Sequence, residues 1–261
     1  MIKFFRHIRK SLLMENKTSK YFKYAIGEIV LVVIGILIAL QINNWNENKK
    51  KTSLEIKHLK ELKSDIAETL KDARTDNKLY YEDIQSILYL QDFFFKKIPY
   101  HDSLAYHFYQ TIEHYQLYAK TSALESIKSI GLDIISNDSL RLAITDYYQI
   151  LIKDAVDLGR ISQGSTNFAN KLWPYLEKHF KPLNKPIRKD KRWYNNKKHI
   201  KYAPKQWQVL DEKALQNDYK LQLKLNRTLM IRQGMAIRLS QIVESGNQLI
   251  QLLENEITSL E

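Results

Sequence analysis

Hydrophobic positions along the chain change their period twice. Residues 29–40 are apolar or glycine without a break, and residues 25–28 and 41–42 extend the run to 18 positions. That is close to the ~20 residues a helix needs to cross a ~30 Å hydrocarbon core. A helix buried in a soluble protein keeps a polar stripe, and none is present between Ile29 and Leu40. The run closes on Ala39-Leu40-Gln41-Ile42-Asn43, without the small-x-small pair of a signal-peptide cleavage site. It reads as one uncleaved transmembrane helix, residues 25–43.

From Ser53 the apolar positions take a three-four spacing through Ile56, Leu59, Ile66, Leu70, Ala73, Tyr80, Ile84 and Ile87. This spacing predicts a long helix that continues the membrane segment with at most a small break at Asn43-Asn44, and Pro99 is expected to end it. At the other end of the chain Leu229, Ala236, Val243, Ile250 and Ile257 recur every seven residues. Leu239, Gly246, Leu253 and Leu260 form a companion row three residues later, with Arg232 as its only gap. Four such heptads require a helical partner, either the first long helix running antiparallel or a second copy of the chain.

Between the two long helices the punctuation is that of shorter ones. Asp102 or Ser103 offers a cap to a Tyr- and His-rich segment, and Ser122-Ala123-Leu124-Glu125 has the form of a capping box, with Gly131 as its stop. Asn137, Asp138 and Ser139 offer the next start. Leu140, Ile144, Tyr147, Tyr148, Leu151, Ala155 and Leu158 then form a buried stripe on a helix reaching His179, kinked at Pro174. The expected fold is all-α, a transmembrane helix followed by an antiparallel four-helix, coiled-coil-like bundle. Residues 1–24 are a basic head, 25–43 the span and 44–261 the bundle, with a basic loop at 181–205.

Charge refines this division. The chain carries a formal net charge of +12, and two patches account for it. The head holds seven lysines and arginines against Glu15, and residues 181–205 hold ten against Asp190, leaving the rest slightly acidic. Phe4, Phe5, Ile8, Leu12 and Leu13 fall at helical spacing among the basic residues of the head, as in a short helix lying on an anionic leaflet; the plainer reading is a basic tail that only sets topology. In both readings the head stays cytoplasmic, so the chain is expected to run N-terminus in and C-terminus out, with the bundle in the periplasm of a bacterial inner membrane. The sequence contains no cysteine, which removes disulfides, thiolate nucleophiles and cysteine-ligated metals.

Candidate contact residues lie in the span and the loop. Glu28 sits about one turn inside the membrane, where it either reaches headgroup water and Lys20 or Lys23, or serves as a proton or partner site. Gly35-x-x-x-Ala39 presents a small-residue face that permits close helix approach. Trp45 stands where an interfacial aromatic belongs. In the loop, Arg188, Lys189, Lys191, Arg192 and Trp193 mix cations with an aromatic ring. Nucleic acid is the usual partner for such a mixture, and a periplasmic location argues against it in favour of an anionic lipid, a polysaccharide or an acidic protein; the plainer reading is a solvated connector. His107 and His114 are two turns apart, too far to share a metal without a third element.

The membrane segment and its exit, GEIVLVVIGILIALQINNWNE at residues 27–47, follow ENKTSKYFKYAI. Together with ALESIKSIGLDIISNDSLRLAITDYY at residues 123–148, they resemble a family of bacterial membrane proteins of unknown function typical of Bacteroidota. The resemblance implies a single-pass inner-membrane protein with a helical periplasmic region, and it brings no catalytic residues. The sequence itself offers no nucleophile triad, phosphate-binding glycine loop or HExxH pair. The expectation is a non-catalytic interaction or scaffold module without cofactor or metal, whose partners are the bilayer and a protein or a second copy through its helices. The alternative is a ligand-sensing bundle that signals through a partner protein.

Overall fold

The computed structural model describes residues 18–113, 115–163, 168–182 and 207–261. Most of the basic head, His114, and the loop candidates Arg188, Lys189, Lys191, Arg192 and Trp193 lie outside the described residues. The chain divides into two compact units, Met1–Lys57 and His58–Glu261.

Helix α1 (Thr18–Phe95) contributes to both units and is unbroken at Asn43-Asn44. Within the first unit it is the one helix of the described residues long and apolar enough to cross a membrane, and its most apolar stretch has no buried residue. Val33, at 46%, is the least exposed of its large apolar side chains.

In the second unit α1 pairs antiparallel with α8 (Tyr219–Leu260). Lys60 meets Glu261, Lys63 meets Glu254, Asn77 donates to Ser240, and Gln91 donates to Asn226, so one helix counts up as the other counts down. Leu59, Ile66, Leu70, Ala73, Tyr80, Ile84 and Ile87 of α1 are buried, as the three-four spacing predicts; Leu62 joins them, and the predicted Ile56 is only partly covered. On α8 the row Arg232, Leu239, Gly246 and Leu253 is buried. The second buried row is Thr228, Met235, Ile242 and Leu249, one residue ahead of the predicted Leu229, Val243 and Ile250, with Ala236 buried beside it. On a 3.6-residue turn the rows three and four residues before Arg232 flank it on opposite sides, and packing against the elements between the long helices selects the latter. Gly246 marks the closest approach: a Cβ there would stand 2.6 Å from Leu70 Cδ2 and 2.8 Å from the Tyr147 hydroxyl.

The elements between are short. Helix α1 stops at Phe95, with Lys97 in the left-handed region at φ 52 and Ile98 held out of the helical region by Pro99. Helix α2 (Ser103–Gln110) ends where the Thr111 hydroxyl donates to the Phe108 carbonyl. Residues 115–121 then run non-helically along α1, whose side chains satisfy two of their amides. Asp72 accepts from the Tyr118 amide, and Thr69 Oγ1 accepts from the Lys120 amide.

Helix α3 (Ser122–Ile130) starts as predicted but is capped from elsewhere: Asp65 of α1 accepts from Ser122 Oγ and the Ala123 amide, while Glu125 turns to Lys128. Gly131 ends it at φ 119. Asn137 caps α4 (Asp138–Asp146) through the Leu140 amide. A π turn (Tyr147–Ile152) follows, and its wider winding moves the buried stripe from the predicted Leu151 to Ile152 before α5 (Lys153–Gln163).

Helix α6 (Phe168–His179) contains Pro174, and it leads into the one departure from an all-α fold among the described residues, an antiparallel pair of β1 (Phe180–Pro182) and β2 (Trp207–Val209). Phe180 and Trp207 on this pair pack their rings 5.8 Å apart, and Phe108 and Tyr100 join Phe180 at 5.1 and 6.4 Å. Helix α7 (Glu212–Gln216) precedes α8. Of the three phenylalanines at the end of α1, Phe93 and Phe94 enter this core and Phe95 stays exposed.

Candidate functional site

The best-defined chemistry of the second unit lies inside it, around the residue that interrupts the heptads. Arg232 of α8 is buried, and its Nε stands 3.4 Å from Asp83 Oδ2 of α1, itself fully buried. The guanidinium lies over the Tyr80 ring at 5.3 Å and donates through Nη2 to the Glu113 carbonyl. Tyr115 donates its hydroxyl to Asp83 Oδ1 at 3.3 Å, and the Tyr80 hydroxyl donates to the Tyr115 carbonyl at 2.7 Å. Asp83 and Tyr80 share a helix face at i, i+3, and Asp76 lies one turn before Tyr80.

The electrostatics follow from burial. Burial raises the Asp83 carboxyl to about 7; Arg232 and the hydrogen bond from Tyr115 oppose the rise, and Glu113 and Glu82 add to it. Burial, then the neighbouring Asp72, raises Asp76 to about 7. Tyr80 is pushed up to about 12 and Tyr115 far above the ordinary phenol range, burial being the first cause in both. Arginine does not give up its proton in a protein, so Arg232 is a fixed cation in a dry interior. With Asp83 and Arg232 sealed from solvent, no substrate can reach the pair. What the arrangement does is fasten the non-helical segment after α2 onto the α1–α8 pair.

A second buried pair holds the strand end. Asp218 Oδ2 accepts from Lys178 Nζ at 2.7 Å and from His179 Nε2 at 2.8 Å, while Oδ1 caps α8 through the Leu221 amide at 3.0 Å. Burial alone would raise this carboxyl, but the hydrogen bonds from Lys178, His179 and Leu221 overcome it and hold it well below the usual carboxylate range.

The sequence-derived candidates are placed differently. Glu28, Gly35, Ala39 and Trp45 all lie on α1 in the first unit: Glu28 is half-exposed, and a Cβ at Gly35 would meet nothing within 4 Å. Trp45 is exposed beneath the Lys49 amine, 5.5 Å from its ring. His107 faces Ser86, at 3.1 Å, and among the described residues no group of three histidine, aspartate or glutamate side chains is gathered to hold a metal. Several surface concavities of about 280 to 830 Å³ lie among the described residues. An open groove of about 830 Å³ runs between α1 and α2 past Lys78, Tyr81, Leu88 and Tyr106, and one of about 290 Å³ is walled by Trp173, Phe180 and Trp207 with Glu177 and Lys181 at its rim.

Residues 28–168 match the model of a family of unknown function, DUF6090. The chain belongs to DUF6090. Within it, the matched region starts in the apolar stretch of α1 and includes Asp83, Glu113 and Tyr115, while Arg232 and Asp218 lie beyond the match. No curated protein and no solved structure matches the chain.

Proposed function

We propose that this DUF6090 chain is a membrane-anchored interaction or scaffold module without catalytic activity. The observation that carries the reading is the unbroken apolar stretch of α1, which has no buried residue in the first unit and has the length of a bilayer crossing. Water would penalise such a surface, and lipid removes the penalty. The proposal places residues 25–43 in a bacterial inner membrane, residues 1–24 in the cytoplasm and the second unit in the periplasm as an up-and-down, coiled-coil-like bundle. The resemblance of residues 27–47 to membrane proteins of Bacteroidota supports the same location. Gly35 and Ala39 are then available to a neighbouring span, Glu28 and Trp45 to the two interfaces, and the basic loop to an anionic surface. That the second unit buries a continuous set of apolar side chains, Leu59, Leu62, Ile66, Phe93 and Phe108 among them, favours a scaffold. The groove at Trp173 and Trp207 is what favours the alternative, a ligand-sensing bundle acting through a partner.

Alkaline carbonate washing of membranes tests the anchor. The chain is expected in the pellet, and replacing both Ile34 and Ile38 with arginine is expected to release it, each arginine at mid-span costing about 3 kcal/mol of insertion. A wild-type chain recovered in the wash would overturn the anchor.

A further inference from the structure

The α1–α8 pair buries one side and leaves an apolar strip on the other. The hydrogen bonds from Asn77 to Ser240 and from Gln91 to Asn226 set the antiparallel register, and in that register Tyr81, Leu88 and Phe95 stand level with Ile237, Met230 and Leu223. Each trio repeats every seven residues, so the levels are about 10 Å apart. All six side chains are between 39% and 72% exposed. Both trios flank the hydrogen-bonded edge on the side away from the buried rows. The result is two exposed apolar rows, one on each helix, on either side of the polar contacts Asn77–Ser240 and Gln91–Asn226. Their combined area is several hundred Å², on the scale of the ~800 Å² that one partner gives to a stable interface.

Charge is divided between the same two stretches. Residues 76–95 of α1 carry four acids and one lysine, whereas residues 219–243 of α8 carry five lysines and arginines and no acid. Asp76, Asp83 and Arg232 are used up inside, Arg238 is paired with Asp154, and Asp92 accepts from Lys96 at 2.8 Å within its own helix, so Glu82 and the Asp92–Lys96 pair face Lys220, Lys224 and Arg227. Outside, Asp92 borders the α1 row and Arg227 the α8 row at nearly the same level.

We infer that the strip formed by Tyr81, Leu88, Phe95, Leu223, Met230 and Ile237 is the interface with a second copy of this chain. A two-fold axis parallel to the helices sets α1 of one copy against α8 of the other. That operation keeps the three levels in step and brings the acidic stretch against the basic one. It also leaves both copies of α1 pointing the same way, which two chains anchored in one membrane require; this point alone rests on the proposed function. The contact is isologous and closes at two.

The test is the mass of the full chain in detergent micelles, by light scattering with the detergent subtracted. Two chains are expected. Leu223→Glu, Met230→Glu and Ile237→Glu together should weaken the dimer at least ~100-fold while leaving the helical circular-dichroism signal of the folded chain in place, because these side chains are exposed within one copy. Asp92→Lys should weaken it, and adding Arg227→Glu should restore it. Gly35→Ile, which removes the small-residue face of the span, should leave it unchanged. A wild-type chain monomeric at tens of micromolar, or a dimer that survives the triple change, would overturn the inference and leave the strip to a helix of another protein. Carbonate extraction reads the membrane anchor separately, so the two failures are distinguishable.

Discussion

Replacing Arg232 with methionine is expected to destabilise the second unit by about 3–5 kcal/mol, the usual cost of stranding one partner of a buried ion pair. Asp83 would keep its buried position without its cation, and Glu113 would lose the donor to its carbonyl. The change also removes the guanidinium from the Tyr80 ring, so the segment after α2 would loosen first. Adding Asp83→Leu should recover most of the loss, because a matched apolar pair replaces the charges at similar volume. Urea melts of the full chain in micelles, read by near-ultraviolet circular dichroism, give both values.

The pH dependence has a definite sign. Asp83 is raised to about 7 in the fold and lies near 3.8 when unfolded, so the unfolded chain releases this proton first. Stability contributed by Asp83, and likewise by Asp76, is therefore fully present below pH 4, falls between about 4 and 7 and then levels off. In the methionine variant the opposing cation is gone and the carboxyl rises further. The penalty for losing Arg232 should be smaller at pH 5 than at pH 8. A penalty independent of pH would mean that the pair contributes through shape alone.

The second large effect is expected at Asp218. Alanine there removes the cap of α8, worth about 1 kcal/mol, and leaves His179 with its buried nitrogen unpartnered, for a total of about 2–4 kcal/mol. Asparagine keeps an acceptor for the Leu221 amide and should cost less. The sign with pH is opposite to that at Asp83. A carboxyl depressed in the fold stabilises above its unfolded value near 4, and that contribution is lost as acid protonates it. Comparing melts at pH 7 and pH 3 should show the alanine penalty shrinking in acid.

These two sites show what periodicity can and cannot reveal. The exposed run of α1, its extension through Ile87 and the existence of α8 follow from spacing, because burial of apolar surface dominates each. The starts at Ser122 and Asn137 and the stop at Gly131 follow from local cap chemistry. What failed depended on neighbours distant in sequence. Asp65 displaced Glu125 as the acceptor at Ser122, a π turn moved the stripe from Leu151 to Ile152, and α8 chose Met235 and Ile242 over Val243 and Ile250. The interior polar pair was legible only in part: Arg232 was visible as a gap in a row of apolar residues, and such a gap signals a buried partner as readily as an exposed break. Asp83 gave no such sign, since it lies among the charged residues that cover the other faces of α1. The strand pair at Phe180 and Trp207 was hidden by its shortness and by the prolines around it.

Whether α1 carries the second unit across a bilayer is measured directly by a topology reporter fused after Glu261. Alkaline phosphatase at that position should be active in intact cells and green fluorescent protein should be dark. Fluorescence with inactive phosphatase would place the second unit in the cytoplasm and contradict the account.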